Sequence, residues 1–283
     1  MPGWLTAKKP GIEPDETPRL NNRNREAIHF PVFKIPLQNI FQMNPLTTRK
    51  LLELNQVFYH QFGSQFSLTR QRLQPGVSQL VPILLQAGSI LDIGCGNGEL
   101  SRNLSARHFQ GQYFGLDFSA PLLQAAKGAE MDPSITFIQS DLASPTWDSL
   151  FSPAQFSHIT AFAVLHHLPG ADLRGRILKK IHSLLGSSGW FLFSNWQFLN
   201  SEKLSKHVQP WEKAGLTASD VDEGDYLMDW RSGGSGLRYV HHFSERELED
   251  LALRNGFKVL DSYLSDGKSG RLGLYQIWER NEY

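Results

Sequence analysis

The chain has 283 residues, 40% of them apolar, which is enough to bury one large core. Basic and acidic residues number 28 each, so no bulk positive field draws the protein to phosphate backbones. The single cysteine, Cys95, excludes an internal disulfide and any zinc site made mainly of thiolates.

Residues 1–48 hold seven of the fifteen prolines and no sustained apolar period, which predicts an extended or partly disordered arm. Its first twenty residues carry Lys8, Lys9, Glu13, Asp15 and Glu16 instead of an apolar run. No stretch anywhere is apolar enough to span a bilayer, so the expectation is a cytoplasmic protein without a membrane partner. A domain follows over 49–283. The helical pattern sets in from Pro45, with Leu51, Leu54, Phe58 and Phe62 and then Val81, Leu84 and Leu85 at helical spacing, giving a helical cap over 49–87.

Over 88–196 short β-rich runs alternate with helical ones, which predicts a mostly parallel α/β sheet with helices on both faces. Strands are expected at 90–93, 113–116, 135–139, 158–164 and 190–194, and helices at 99–107, 121–127 and 174–185, the last ended by Gly186. Residues 197–237 have no clean period and read as a lid-like insertion. In the C-terminal part, 238–283, Ser244 with Glu247 three residues on forms a capping box for a helix over 245–255, Gly256 stops it, and strands close the domain at 258–264 and 272–278.

Asp92-Ile93-Gly94-Cys95-Gly96-Asn97-Gly98 lies between the first strand and the next helix, where glycines let the backbone turn and approach a ligand. A dinucleotide fingerprint would need glycine at position 99, which is Glu99, and an acid there opposes a pyrophosphate. Asp117 closes the second strand 23 residues beyond Gly94, a usual distance for a carboxylate that accepts ribose hydroxyls. Asp141 follows the third strand, where it can accept from an adenine amino group.

Together with Ala163-Val164-Leu165-His166-His167-Leu168, these residues resemble the class I S-adenosylmethionine-dependent methyltransferases. The resemblance implies a Rossmann-like, seven-stranded, mostly parallel sheet and S-adenosylmethionine as cofactor. It implies cofactor contacts at Asp92, Gly94, Gly96, Gly98, Asp117, Phe118, Asp141, Leu142 and Ala163. Tyr59, Phe66-Ser67-Leu68-Thr69-Arg70, Asp225 to Trp230 and Arg238-Tyr239-Val240-His241-His242-Phe243 resemble more narrowly the tRNA wobble-uridine carboxymethyl methyltransferases. That resemblance implies tRNA as substrate and, in eukaryotic members, a small zinc-binding activator protein as partner. The sequence departs from the family pattern at Gln74, at Asp229 and over Ser194-Asn195-Trp196-Gln197, which leaves a small-molecule acceptor open. A non-catalytic cofactor-binding module is a distant third reading, because the glycines are intact.

A carboxylate acceptor is already ionised at neutral pH and needs a cation to orient it instead of a base. His166, Arg238 and His241 are the candidate catalytic residues on that ground. Arg70, with Tyr59 beside it, is assigned to the methionine carboxylate of the cofactor. Trp196, Trp230 and Tyr239 are the candidate substrate contacts, the tryptophans either stacking on a base or packing a lid. Arg174, Arg176, Lys179 and Lys180 on one helix either touch RNA phosphates or form a solvated face. The remaining histidines lack metal-ligand spacing, so no metal is expected, and neither is DNA.

Overall fold

The computed structural model describes residues 42–68, 72–129, 132–231 and 234–281. Most of the Pro-rich arm therefore lies outside the described residues, as does Arg70. Its last residues are already helical, because Asn44 Oδ1 accepts from the Leu46 amide and Pro45 occupies the first turn of α1 (Pro45–Leu68). In α2 (Pro75–Leu84), Val77, Leu80, Val81 and Leu84 face the core.

The sheet begins with β1 (Ser89–Ile93), which is followed by α3 (Glu99–Ser105), β2 (Gln112–Asp117), α4 (Ala120–Ala129) and β3 (Ile135–Gln139). Next come β4 (Phe156–Phe162), α5 (Ala171–Leu184) and β5 (Leu185–Trp196). Gly186 is no helix cap. Leu185 is already extended, and Gly186 is the second residue of β5.

The stretch expected to lack regular elements contains α6 (Glu202–Ser205), β6 (Val208–Gln209), β7 (Asp225–Trp230) and, with the residues after it, β8 (Gly236–His241). These strands form an antiparallel three-stranded sheet in the order β6-β7-β8. Polarity hides them, because Asp225, Arg238 and His241 are buried and break the alternation that marks an ordinary strand. The chain closes with α7 (Glu245–Arg254), β9 (Phe257–Ser265) and β10 (Gly273–Arg280). Ser244 Oγ caps α7 by accepting from the Glu247 amide at 3.2 Å, and Gly256 stops the helix with φ +79°.

The main sheet has seven strands in the order β3-β2-β1-β4-β5-β10-β9, parallel from β3 to β5, with β10 antiparallel to both of its neighbours. Apolar residues of α5 and α7 cover one face and those of α2, α3 and α4 the other, each buried Leu or Ile contributing about 1.5–3 kcal/mol. The strand order reverses between β1 and β4, so their carboxyl ends open a crevice. Helix α1 packs along β8 and tops that crevice. Among the described residues no helix is long and apolar enough to cross a membrane.

Candidate functional site

A cavity of about 690 Å³ opens at the carboxyl ends of β1, β2, β4 and β5, under α1 and the edge of the small sheet. That size suits a cofactor-sized ligand. At its inner end Gly94 and Gly96 both take left-handed φ values, +71° and +57°. A Cβ on Gly94 would meet the Val164 side chain at 2.4 Å, whereas a Cβ on Gly96 would meet nothing within 4 Å, so the loop leaves an open cradle there. Gly98, also left-handed, begins α3 and lies between the lining residues Asn97 and Glu99 without lining the cavity itself.

The Asp117 carboxylate is fixed from both sides: Oδ1 accepts from the Ser119 amide at 2.8 Å and Oδ2 from the Gly96 amide at 2.9 Å. Each oxygen keeps a further lone pair for a ribose hydroxyl. Burial raises its pKa. Asp141 accepts from the Ala143 amide through Oδ1 and from Gln56 Nε2 of α1 through Oδ2, both at 2.9 Å. Asp92 also lines the cavity, with its oxygens held by Thr160 Oγ1 and the Tyr113 hydroxyl. Phe118, Leu142 and Ala163 complete this wall. Ala163 takes φ +59°, an unusual conformation for a residue with a Cβ, and its amide donates to Ser194 O at 3.0 Å. With Glu99, the inner end carries four acidic side chains, which suits a positively charged sulfonium.

Tyr59 reaches the cavity from α1 with its ring edge-on to Phe118 and its hydroxyl 2.8 Å from His167 Nε2. His167 Nδ1 donates to Tyr239 O at 3.2 Å, so Nε2 accepts from Tyr59. His166, 2% exposed, lines the cavity and takes the Trp196 amide on Nδ1 at 3.3 Å. At the opposite end Arg238 is buried, with its guanidinium 4.7 Å from the Trp196 ring, 5.3 Å from Phe58 and 5.8 Å from Trp230. Arg238, Trp196 and Trp230 thus meet in one aromatic box at the cavity wall.

Tyr239 and His241 do not reach the cavity. They do share a face of β8, as their alternation predicts, but it is the face opposite Arg238. The Tyr239 hydroxyl donates to Asp225 Oδ1 at 2.7 Å, and His241 bridges Asp225 Oδ1 at 2.6 Å and Glu247 Oε1 at 2.9 Å. Burial opposes the charge on His241, yet the bonds to the two acids raise its pKa. Arg174 is drawn into the same network, 3.7 Å from Asp222 and 3.8 Å from Glu247, and is buried instead of forming part of a solvated face. Buried charges persist only when paired in this way.

Several lining residues were missed in the sequence: Gln56, Arg72, His207 and Arg231 are examples. Gln56 alone had a signal, since it lies three residues before Tyr59 on α1. His207 Nδ1 is 2.5 Å from Asp229 Oδ1, and Arg231 Nε is 2.8 Å from Asp229 Oδ2, so the departure at Asp229 creates a His-Asp-Arg chain at the cavity mouth.

Residues 66–262 match the family model described as a methyltransferase domain. A protein of Encephalitozoon cuniculi named as a methyltransferase is 29% identical over 206 residues, covering 72% of this chain and 87% of that protein. The tRNA (carboxymethyluridine(34)-5-O)-methyltransferase of Arabidopsis thaliana is 29% identical over 49% of this chain, a match that spans 31% of that protein. Among solved structures, the 1,6-didemethyltoxoflavin-N1-methyltransferase of Burkholderia thailandensis, which holds S-adenosylhomocysteine, has the same fold. It superposes with a TM-score of 0.59 at 19% identity, covering 84% of this chain and 91% of that one. The open glycine cradle and the acids at the carboxyl ends of β1 and β2 and just beyond β3 fit such a ligand. This chain belongs to the methyltransferase domain family, and S-adenosylmethionine is its cofactor.

Proposed function

We propose that the protein transfers the methyl group of S-adenosylmethionine to the carboxylate of a 5-carboxymethyl-type uridine at the wobble position of tRNA. The observation that carries this reading is Arg238: a buried guanidinium at the cavity wall, stacked among Trp196, Trp230 and Phe58. A planar fork of this kind binds carboxylates in two-pronged fashion, and the rings around it exclude the water that would weaken the pair. Trp196 or Trp230 offers a face on which an extruded base stacks. The Arabidopsis relative, whose name specifies this acceptor, supports the same reading.

The cofactor supplies a methyl group on a positively charged sulfur. A carboxylate with a pKa of about 4 is ionised at neutral pH, so the protein's task is to hold one oxygen in line and leave its lone pair open. Arg238 orients it, and His166 lines the same cavity. A small zinc-binding activator protein belongs to the same proposal. A second reading, a small-molecule acceptor with a hydroxyl group, is favoured by one observation: His207, held by Asp229, lines the cavity and is suited to take a proton.

The test is transfer of radiolabelled methyl from S-adenosylmethionine to total tRNA from cells lacking this protein, with and without the activator, followed by mild base. Label that enters tRNA and leaves with base is the expected result, because it is the mark of a carboxyl ester. Base-stable label in tRNA would overturn the carboxylate acceptor, and label only in a small hydroxyl compound would move the assignment to the second reading.

A further inference from the structure

The chain is neutral as a whole, but its charge is not evenly spread around the cavity. Its inner end is acidic. Its mouth is basic: Arg72 and Arg231 line it and are exposed, Lys203 and Lys206 flank the lining residues Leu204 and His207, and Lys268 and Arg271 flank Gly267 and Leu272.

Hydrogen bonds join the segments that carry these cations. The α2 turn just beyond Arg72 meets the β9–β10 turn where Asp266 Oδ1 accepts from the Gly76 amide at 2.9 Å. That turn carries Lys268 and Arg271, and Arg271 O accepts from Asn200 Nδ2 at 2.9 Å, next to the α6 segment with Lys203 and Lys206. His207 then joins Asp229, which binds Arg231. The acids within these segments are Glu202, Asp229 and Asp266. Asp229 pairs with His207 and Arg231, and Asp266 accepts from the Gly76 amide and the Tyr275 hydroxyl, so six exposed cations stand against three acids and the rim keeps an excess of positive charge.

We infer that this rim binds the phosphates of the nucleotides flanking the methyl acceptor. The inference rests on the tRNA reading proposed above and extends it from the acceptor to the backbone around it. Bulk neutrality does not weigh against it, because phosphate contacts are local and their strength depends on the cations that replace condensed counterions. The segregation also fits the two ligands: the acidic end receives a sulfonium, and the basic mouth receives a polyanion.

The experiment compares binding of a fluorescent anticodon stem-loop RNA, by anisotropy at several salt concentrations, to four proteins. These are the unsubstituted chain, the pairs Lys203→Glu/Lys206→Glu and Lys268→Glu/Arg271→Glu, and a control pair, Lys179→Glu/Lys258→Glu, on exposed positions of α5 and the far end of β9. The rim pairs are expected to weaken binding at least about tenfold and to flatten the salt dependence by about 0.7 in log–log slope for each phosphate no longer neutralised. Cofactor affinity should be unchanged in every variant, and the control pair should bind like the unsubstituted chain.

Rim pairs that bind and methylate tRNA as the unsubstituted chain does would overturn the rim while leaving the wobble-uridine reading intact. An unsubstituted chain that ignores RNA but methylates a small acid would overturn both, as would one that instead binds vesicles rich in anionic lipid.

Discussion

Asp92 is 4% exposed between the hydroxyls of Tyr113 and Thr160, and burial, opposed by those bonds, raises its carboxyl from 3.8 to about 6. A group that ionises later in the fold than in the unfolded chain gives stability that is complete below pH 3.8 and is lost as pH rises through about 6, worth about 3 kcal/mol. His158 on β4 does the reverse. Burial lowers it from 6.5 to about 4, so its contribution is complete above pH 6.5 and is lost as pH falls through about 4, again about 3 kcal/mol. Over pH 4 to 6.5 the two effects oppose each other at similar size. Asp92→Asn should therefore make urea stability fall more steeply on acidification than in the unsubstituted chain, and His158→Gln should make it fall less or rise. Parallel profiles for all three proteins would contradict this account.

At the scale of elements, the junction of α2 with the closing strands is set by contact. In a helix Ala is favoured over Gly by about 1 kcal/mol, but a Cβ on Gly76 would lie 2.2 Å from the Tyr275 ring. That ring cannot yield easily, since its hydroxyl binds Asp266 at 2.6 Å and Tyr263 stacks on it at 5.2 Å. Gly76→Ala should thus destabilise the fold by about 1–3 kcal/mol in urea unfolding, and an unchanged midpoint would show that the junction relaxes. The elements of the main sheet were legible because their strands are apolar and glycines punctuate them, as at Gly94 to Gly98 and Gly256. The β6-β7-β8 sheet was not, because its buried positions include Asp225 and His241, which pair with each other and with Glu247 of α7, and Arg238, which lies among Phe58, Trp196 and Trp230. For the same reason alternation placed Tyr239 and His241 together correctly but left open which face of β8 meets the cavity.

Over the whole molecule the cavity divides into two halves, each read to a different depth. The cofactor half follows from local spacing along β1, β2 and β3, so Asp92, Gly94, Gly96, Asp117 and Asp141 could be named from sequence and all line the cavity. The half proposed for the acceptor is assembled from α1, β5, β7 and β8, with α1 more than a hundred residues from the others, and no local pattern links Phe58 with Trp196, Trp230 and Arg238. The claim that one cavity separates cofactor and acceptor is tested most directly by calorimetric S-adenosylmethionine binding beside turnover for Asp117→Ala and Arg238→Ala. Asp117→Ala should lose more than about tenfold in cofactor affinity, the cost of removing its hydrogen bonds. Arg238→Ala should keep that affinity within about twofold while kcat/KM for the carboxylate acceptor falls roughly 100-fold. Equal loss of cofactor affinity in both variants would contradict the division and place Arg238 with the cofactor.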